Sequence, residues 1–314
     1  MNTYVIIVTY NGIAWIRLAL ESLKTSQVSC TTIVVDNNST DKTIELINKE
    51  FPEVLLLSQN KNFGFGVGNN IGISHAINLG ADFIFLLNQD AYVTPTTIGE
   101  LTSFLQQHTD YAVVTPLHCS PNIKTLDPHT QKIYLQGYVP QYLSDACLGY
   151  VKEYYDIRGI NAAAWMVRAA AFKIVGGFDP IFFMYGEDDD LIARFNHLGQ
   201  KFALLPASKI VHLRAKSPRK VMPLYRELWL LSERVRSSLL MDAKLPTGSV
   251  LGKSIRLIIT GIGTPLLNIL IKHNWREVLA HIIATTRIFS SFVKIIKKSK
   301  QCSIKGPHYL DIKI

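Results

Sequence analysis

Three short runs in the first third of the chain, Tyr4–Thr9 (YVIIVT), Thr31–Asp36 (TTIVVD) and Phe83–Leu87 (FIFLL), are apolar at nearly every position rather than at alternate ones. A strand with one wet face alternates, whereas a continuous apolar run belongs to a strand covered on both faces. Such strands need helices on each side, and the stretches between them supply these. Ile13–Thr25 sets Ile16, Leu20 and Leu23 on one side at helical spacing, and Ser39-Thr40-Asp41 caps a helix running to residue 50. Residues 66–79 and the stretch from Pro95 to about 107 form further helices, with Val54–Leu57 as a third strand and Tyr111–Thr115 as a fifth. The order βαβαβαβαβ predicts an α/β fold: a mostly parallel central sheet with helices on both faces.

The rest of the chain is less uniform. Residues 118–160 carry tyrosines at 134, 138, 142, 150, 154 and 155 and read as strands or loops over the sheet. After Val167 come a short helix (168–175), a GGFD turn, an acidic stretch, a helix to about 198, and strands near 201–205 and 209–213. With 48% hydrophobic and 18% charged residues over 314 positions, the composition excludes disorder and supports one large or two ordinary domains. Cys30, Cys119, Cys147 and Cys302 form no CxxC pair, so neither a zinc site nor a disulfide framework is expected and a reducing cytoplasm is the simpler setting. Met1-Asn2-Thr3 leads straight into the first strand, without the basic and apolar regions of a signal peptide.

Charge divides the chain in two. Residues 1–213 hold 14 Lys and Arg against 19 Asp and Glu; residues 214–314 hold 19 against 5, net +14. The expected boundary therefore lies at 213/214, with a basic, amphipathic helical region after it. Ser249–Ile271 is apolar, but Lys253, Arg256, Gly261, Gly263 and Pro265 interrupt it, so it does not read as a membrane span. Residues 275–300 set Val278, Ile282, Ile283, Ile288, Phe292, Ile295 and Ile296 among six basic side chains. That pattern suits a helix on an anionic membrane surface, and equally a helix packed on the first domain. Charge alone suggests nucleic acid, and no recognition motif supports it.

In an open parallel sheet, ligands bind beyond the carboxyl ends of the strands. Here those ends are polar: Thr9-Tyr10-Asn11-Gly12, Asp36-Asn37-Asn38-Ser39 and Asn88-Gln89-Asp90. Between the third strand and its helix lies Asn60–Asn70 (NKNFGFGVGNN), whose glycines suggest backbone approaching a ligand. Neither a dinucleotide fingerprint after the first strand nor a GxxxxGK(S/T) loop is present. The stretch FFMYGEDDDL, residues 182–191, places four acids in a row. On a helix with Leu191, Phe195 and Leu198 as its apolar stripe, Glu187 and Asp188 face inward, Asp189 faces solvent, and Asp190 lies four residues before Arg194 as a salt-bridge partner.

The set VTYNG, VDNNSTD, NFGFGVGNN, LLNQDA, GGFD and FFMYGEDDDL resembles the family-2 glycosyltransferases of the GT-A fold, closest to the rhamnosyltransferase-like enzymes of bacterial surface polysaccharide synthesis. The likeness covers roughly residues 3–213. It implies an inverting transfer of a sugar, such as rhamnose, from a dTDP- or UDP-sugar to a hydroxyl of a lipid-linked or polysaccharide acceptor. UDP-galactose and UDP-GlcNAc are alternative donors, and a catalytically silent sugar-nucleotide-binding subunit is an alternative role. By the same likeness Thr9, Tyr10, Asn11, Asp36, Asn38, Asn62, Gly64, Gly66, Asn69, Asn88 and Gln89 would line the nucleotide-sugar site. Asp90 and His212 would hold Mg²⁺ or Mn²⁺; strict DxD is absent, because Asn88 stands at its first position. Trp165 and Glu187 would face the acceptor, with Asp188 as the base and Glu187 its helper. The resemblance further implies a cytoplasmic protein, peripheral on the inner face of the plasma membrane and held there by the basic tail.

Overall fold

The computed structural model describes residues 1–128, 130–213, 223–244, 275–290 and 304–313, together with Ile259, Gly263 and Ile295. The apolar runs become β1 (Thr3–Thr9), β2 (Thr31–Asp36), β3 (Leu55–Ser58) and β4 (Phe83–Leu87). These four are mutually parallel in the order β3-β2-β1-β4. Next to β4 lies β8 (Ala164–Arg168), antiparallel to it, and beyond β8 come β6 (Tyr111–Cys119) and β9 (Lys201–His212), parallel to each other. The short β5 (Ala91–Val93) and β7 (Tyr155–Ile157) pair antiparallel with opposite halves of β9. The sheet is mixed where the sequence alone implied consecutive parallel strands, because a strand from late in the chain is inserted between β4 and β6.

Both faces are covered. One core holds α1 (Ile16–Lys24), α2 (Thr43–Glu50) and α4 (Thr97–Gln107), burying Ile16, Leu20 and Leu23 as their spacing required. The other holds α3 (Phe65–Asn78), α7 (Ala169–Val175) and α8 (Glu187–His197). β8 serves both, with Trp165 in one core and Ala164 and Met166 in the other.

Two expectations are corrected. Residues 130–148 are mainly helical: a wide helical turn (Thr130–Leu135), then α5 (Gln136–Tyr138) and α6 (Pro140–Leu148), whose Tyr142 is buried. The buried positions Leu135, Val139 and Tyr142 recur at helical spacing, and period-two alternation is missing. The strands read near 201–205 and 209–213 are one strand with an irregularity, since Leu205 pairs with Pro116 and Lys209 with Leu117. Pro206 has no N–H for the ladder, which accounts for the break.

The basic tail supplies α9 (Leu224–Lys244) and α10 (Trp275–Phe289). Arg276 pairs with Glu227 at 2.9 Å and Arg287 pairs with Glu233, so the two helices run side by side in the same direction. Leu239, Ala284 and Ile288 close over Phe182, the first residue of the acidic stretch. Of the apolar residues read in 275–300, Ile288 and Ile295 are buried there, Ile282 is 53% exposed, and Phe292 and Ile296 lie outside the described residues, as does most of Ser249–Ile271. Residues 304–313 return across α3 and α7, with Leu310 and Ile312 against the core.

One clasp joins α3 to the turn before the acids. Asn70, 4% exposed, donates through Nδ2 to the Phe178 carbonyl at 2.8 Å and accepts the Phe178 N–H at 2.7 Å. An Asn70→Ala variant leaves both backbone groups buried without partners. It should lose roughly 2–4 kcal/mol of unfolding free energy, read from the shift of its urea midpoint.

Candidate active site

The polar strand ends meet in one line along the carboxyl edge of the sheet. Asp36 pairs in register with Thr9, and the Thr9 hydroxyl donates to Gln89 Oε1 at 2.6 Å. Asn88 N–H donates to the Ala163 carbonyl at 3.0 Å, and Ala162 N–H donates to Asp188 Oδ2 at 3.3 Å. The chain thus carries contacts from β2 through β1, β4 and the start of β8 to the head of α8.

Along this line stand buried acceptor atoms without a partner: Asp36 Oδ1, Asn37 Oδ1, Asn88 Oδ1, Asn161 Oδ1 and Glu187 Oε2, and beside them His212 Nδ1. Buried polar atoms are almost always hydrogen-bonded, so a cluster of exceptions marks where a ligand supplies donors or a cation. Asp36 is fully buried and keeps one oxygen on Ser39 N–H at 2.9 Å, leaving the other free. Asn37 and Asn161 were not singled out from sequence. Asn38 takes a positive φ of 66° and turns outward, breaking the alternation that would have pointed to it rather than to Asn37. Asn161 sits just beyond the irregular 118–160 stretch, without periodicity to mark it.

Several expected ligand contacts are instead internal ties. Gln89 Oε1 is taken by Thr9 and by Tyr10 N–H at 3.1 Å, so Gln89 pins β1 to β4. Asn11 accepts from Thr40 N–H at 2.8 Å and Asp41 N–H at 3.3 Å, and Asn62 from Gly64 N–H at 2.8 Å. Asn69 turns back onto Phe65 of its own helix. The close approach expected of the glycines is made to protein. A Cβ on Gly64 would meet the Phe183 carbonyl, and one on Gly66 would lie 2.9 Å from Phe178 Cβ. Tyr10 is 44% exposed. Trp165 is wholly buried, its indole N–H on the Ile160 carbonyl at 3.1 Å, so it has no surface to offer an acceptor; alternation within β8 turns it into the core.

Asp90 and His212 do come together, Oδ1 to Nε2 at 3.3 Å, because β5 pairs Ala91 with His212. His212 is 4% exposed and Asp90 partly open. Among the described residues no three His, Cys, Asp or Glu side chains gather as a ligand set of their own.

The four acids separate as their helical positions require, with one change. Glu187 is buried, Asp188 half-buried and Asp189 exposed, but Asp190 is also buried, 3.0 Å from Arg194 Nε. Arg194 donates in addition to the carbonyls of Val175 at 3.0 Å and Gly177 at 2.6 Å. Those carbonyls need a buried donor, so the pair lies inside rather than in solvent. Gly186, with φ of 84°, and Tyr185, with φ of 68°, make the sharp entry to α8, held by Ser237 of α9 on the Tyr185 carbonyl. Burial, and then the neighbouring Asp188 charge, push Glu187 up to about 8. Burial also raises Asp188, against the pull of the N–H groups of Ala162 and Asp189 on its carboxylate. The arrangement is one carboxyl that keeps its proton near neutrality beside one that accepts two N–H donors.

A family model described as glycosyl transferase family 2 matches residues 4–174. The chain belongs to that family. Over 235 residues it is 25% identical to the N-acetylglucosaminyl-diphospho-decaprenol L-rhamnosyltransferase of Mycobacterium tuberculosis, covering 68% of this chain and 76% of that one. The dTDP-rhamnosyl transferase RfbF of Shigella flexneri is 26% identical over 222 residues, 67% of this chain and 69% of that one. Among solved structures, the mannosyltransferase PcManGT from Pyrobaculum calidifontis in complex with GDP-Man and Mn²⁺ superposes with a TM-score of 0.58 at 16% identity, covering 91% of this chain and 86% of that one. Residues 1–349 of S. aureus TarS with UDP-GlcNAc superpose with 0.55 at 16% identity, over 96% and 84%. The fold is that of the GT-A glycosyltransferases, and the protein is a glycosyltransferase.

In this family member the proton on Glu187 carries a stability signature. Its folded value of about 8 exceeds the ordinary 4.5, so the folded state binds the proton more tightly. The contribution is full below 4.5 and is lost as pH rises through about 8. Glu187→Gln should therefore melt progressively higher than wild type between pH 5 and pH 8, in thermal melts across a buffer series.

Proposed function

We propose that the protein moves rhamnose from a dTDP- or UDP-activated donor to a hydroxyl of a lipid-linked saccharide, with inversion, and that Asp188 is the base. The observation that carries this reading is the Glu187–Asp188 pair at the head of α8, tied through Ala162 N–H to the line of orphaned acceptors ending at Asp36. Both rhamnosyltransferases it resembles support the sugar, RfbF supports the dTDP donor, and the Mycobacterium tuberculosis enzyme supports the polyprenyl-diphosphate acceptor class.

The roles follow from the hydrogen bonds. Two neighbouring carboxyls, one buried and one half-buried, do not both ionise easily. Asp188 accepts two backbone N–H groups, which favour its charge, while Glu187 Oε2 accepts none. Asp188 then takes the acceptor's O–H proton as that oxygen attacks the anomeric carbon. The bond to the donor phosphate breaks with its electron pair going to the nucleoside diphosphate. A single displacement inverts the centre. Asp36 and the exposed Tyr10 suit a base and ribose, one by its free oxygen and the other by stacking.

Asp90, with His212 at its side and Asn88 Oδ1 unpartnered nearby, fits a Mg²⁺ or Mn²⁺ ion that draws its other oxygen ligands from a diphosphate. When bound, such a cation neutralises the leaving group. The second reading, a silent sugar-nucleotide-binding subunit, separates from this one at Asp188. Asp188→Asn should keep its melting-temperature rise with a dTDP- or UDP-sugar and Mn²⁺ while transfer falls by about 10²–10⁴-fold. Full transfer by the variant would remove Asp188 as the base.

The same reading places the protein in the cytoplasm, peripheral on the inner face of the plasma membrane. Among the described residues no helix is long and apolar enough to cross a membrane. Because α9 and α10 run in the same direction, their first turns lie together, and there Tyr225 and Trp275 are more than half exposed beside Arg226 and Arg276, with Ile282 53% exposed two turns further along α10. Aromatic rings among arginines suit an anionic bilayer surface. Full-length protein with Trp275→Ser and Ile282→Ser should sediment less with phosphatidylglycerol vesicles than wild type; equal sedimentation would exclude this face.

A further inference from the structure

Residues 304–313 are stitched to the catalytic face. Gly306 N–H donates to the Ile174 carbonyl and Gly177 N–H to the His308 carbonyl, each at 2.8 Å. Asp311 N–H donates to the Ser74 hydroxyl at 3.0 Å, and Lys313 N–H to Asn78 at 2.8 Å. In the middle stands Tyr309, in a left-handed conformation with φ of 66° that a tyrosine adopts only where its surroundings hold it. Its hydroxyl donates to Asp179 Oδ2 at 3.0 Å, and its ring lies 5.7 Å from the Arg194 guanidinium carbon.

Those two partners bound the acid segment. Asp179 is 1% exposed, and its other carboxylate oxygen accepts Ile181 N–H at 2.9 Å while its carbonyl accepts Phe182 N–H at 3.2 Å. Asp179 thereby shapes the turn into the acid-bearing loop. Arg194 stands on α8 two turns beyond Glu187 and holds that helix to Asp190, Val175 and Gly177. A single side chain from the end of the chain therefore touches the turn that enters the loop and the helix that leaves it, with Glu187 and Asp188 between. The other flank of the loop is braced separately by α9, where Arg236 donates to the Ile181 carbonyl at 2.8 Å and Trp229 meets the Phe183 ring edge to face.

We propose that Tyr309 is a positioning residue for sugar transfer: by clamping Asp179 and Arg194 it sets where the Asp188 carboxylate stands relative to the acceptor hydroxyl, so the C-terminal strap is part of the catalytic unit. The proposal rests on the reading of Asp188 as the base. A strap that only added stability would change melting temperature and leave the chemistry of the folded enzyme alone. A clamp changes the rate of the folded enzyme, because displacing a base by about 1 Å can cost on the order of a hundredfold.

The test compares full-length wild type, Tyr309→Phe, Tyr309→Ala and Asp188→Asn for kcat, donor KM and the pH dependence of kcat. Phenylalanine keeps the ring against Arg194 and removes the donation to Asp179; alanine removes both. The expected result is a kcat about ten- to a hundredfold lower in Tyr309→Ala and a smaller fall in Tyr309→Phe, with donor KM within about twofold of wild type. The limb of the pH profile that reports the acid pair should also move in Tyr309→Ala. Wild-type kcat in both variants overturns the proposal, and so does a fall in kcat matched by an equal loss of donor affinity. Should Tyr309→Ala fail to fold, Tyr309→Phe decides alone, a lowered kcat with donor KM kept upholding the clamp and a wild-type kcat ending it. Asp188→Asn keeps the two readings apart. Wild-type transfer by that variant removes the base assignment, whereas an inactive Asp188→Asn beside fully active Tyr309 variants leaves the base and removes the clamp.

Discussion

Four consecutive acids can head one helix here because Arg194 answers the innermost of them from within. A buried ion pair is stabilising only where its remaining hydrogen-bonding groups are satisfied. Arg194 meets that condition, with one bond to Asp190 and two to carbonyls of the turn that precedes the acids. The helix dipole favours negative charge at its head, and Asp189 is left to solvent. With Asp190 paired, the repulsion that remains falls among Glu187, Asp188 and Asp189, where it adds to burial in raising Glu187 to about 8 and Asp189 to about 6. The site's chemistry is thus a residue of charge that the fold leaves uncancelled.

The parallel half of the fold was legible because continuous apolar runs admit few other readings. β1, β2 and β4 lie within a residue of their expected limits. The antiparallel insertion of β8 was not legible, since pairing partners are chosen by tertiary packing and AWMVR reads equally well in either direction. At the candidate site, the acids at 187 and 188 and the strand-end Asp36 stand out in the sequence because a carboxylate on an inward face, or at a buried strand end, demands a reason. The amides were harder. Asn11, Asn62 and Gln89 satisfy their own loops, while Asn37 and Asn161 hold the unpartnered oxygens. Asparagine composition is the same in both roles; only geometry distinguishes them. The glycines of Asn60–Asn70 misled for a related reason, as close approach to a protein backbone and to a ligand demand the same missing Cβ.

The basic tail presented two readings that charge could not separate, and the structure shows that one of them is met. Ile288 and Ala284 face Phe182, and Arg287 and Arg236 share the buried Glu233. A helix can pack on its neighbours through one stripe and still present another. On α10 the exposed Trp275 and Ile282 lie away from Ala284 and Ile288, so the two readings concern different sides of that helix.

The insertion of β8 has a consequence in time. β4 and β6 are 24 residues apart at their nearest ends, yet neither pairs with the other; both wait for residues 164–168. A growing chain that has made β1 to β4 and even β6 holds two unfinished edges facing a gap. Contacts between distant parts of a chain are slow to form, and open strand edges invite wrong partners meanwhile. The strand that joins β4 to β6 also begins just after Ala162 and Ala163, which tie Asp188 and Asn88 to the same edge. Joining the two halves of the sheet and placing the backbone groups that hold Asp188 and Asn88 are, on this topology, a single event.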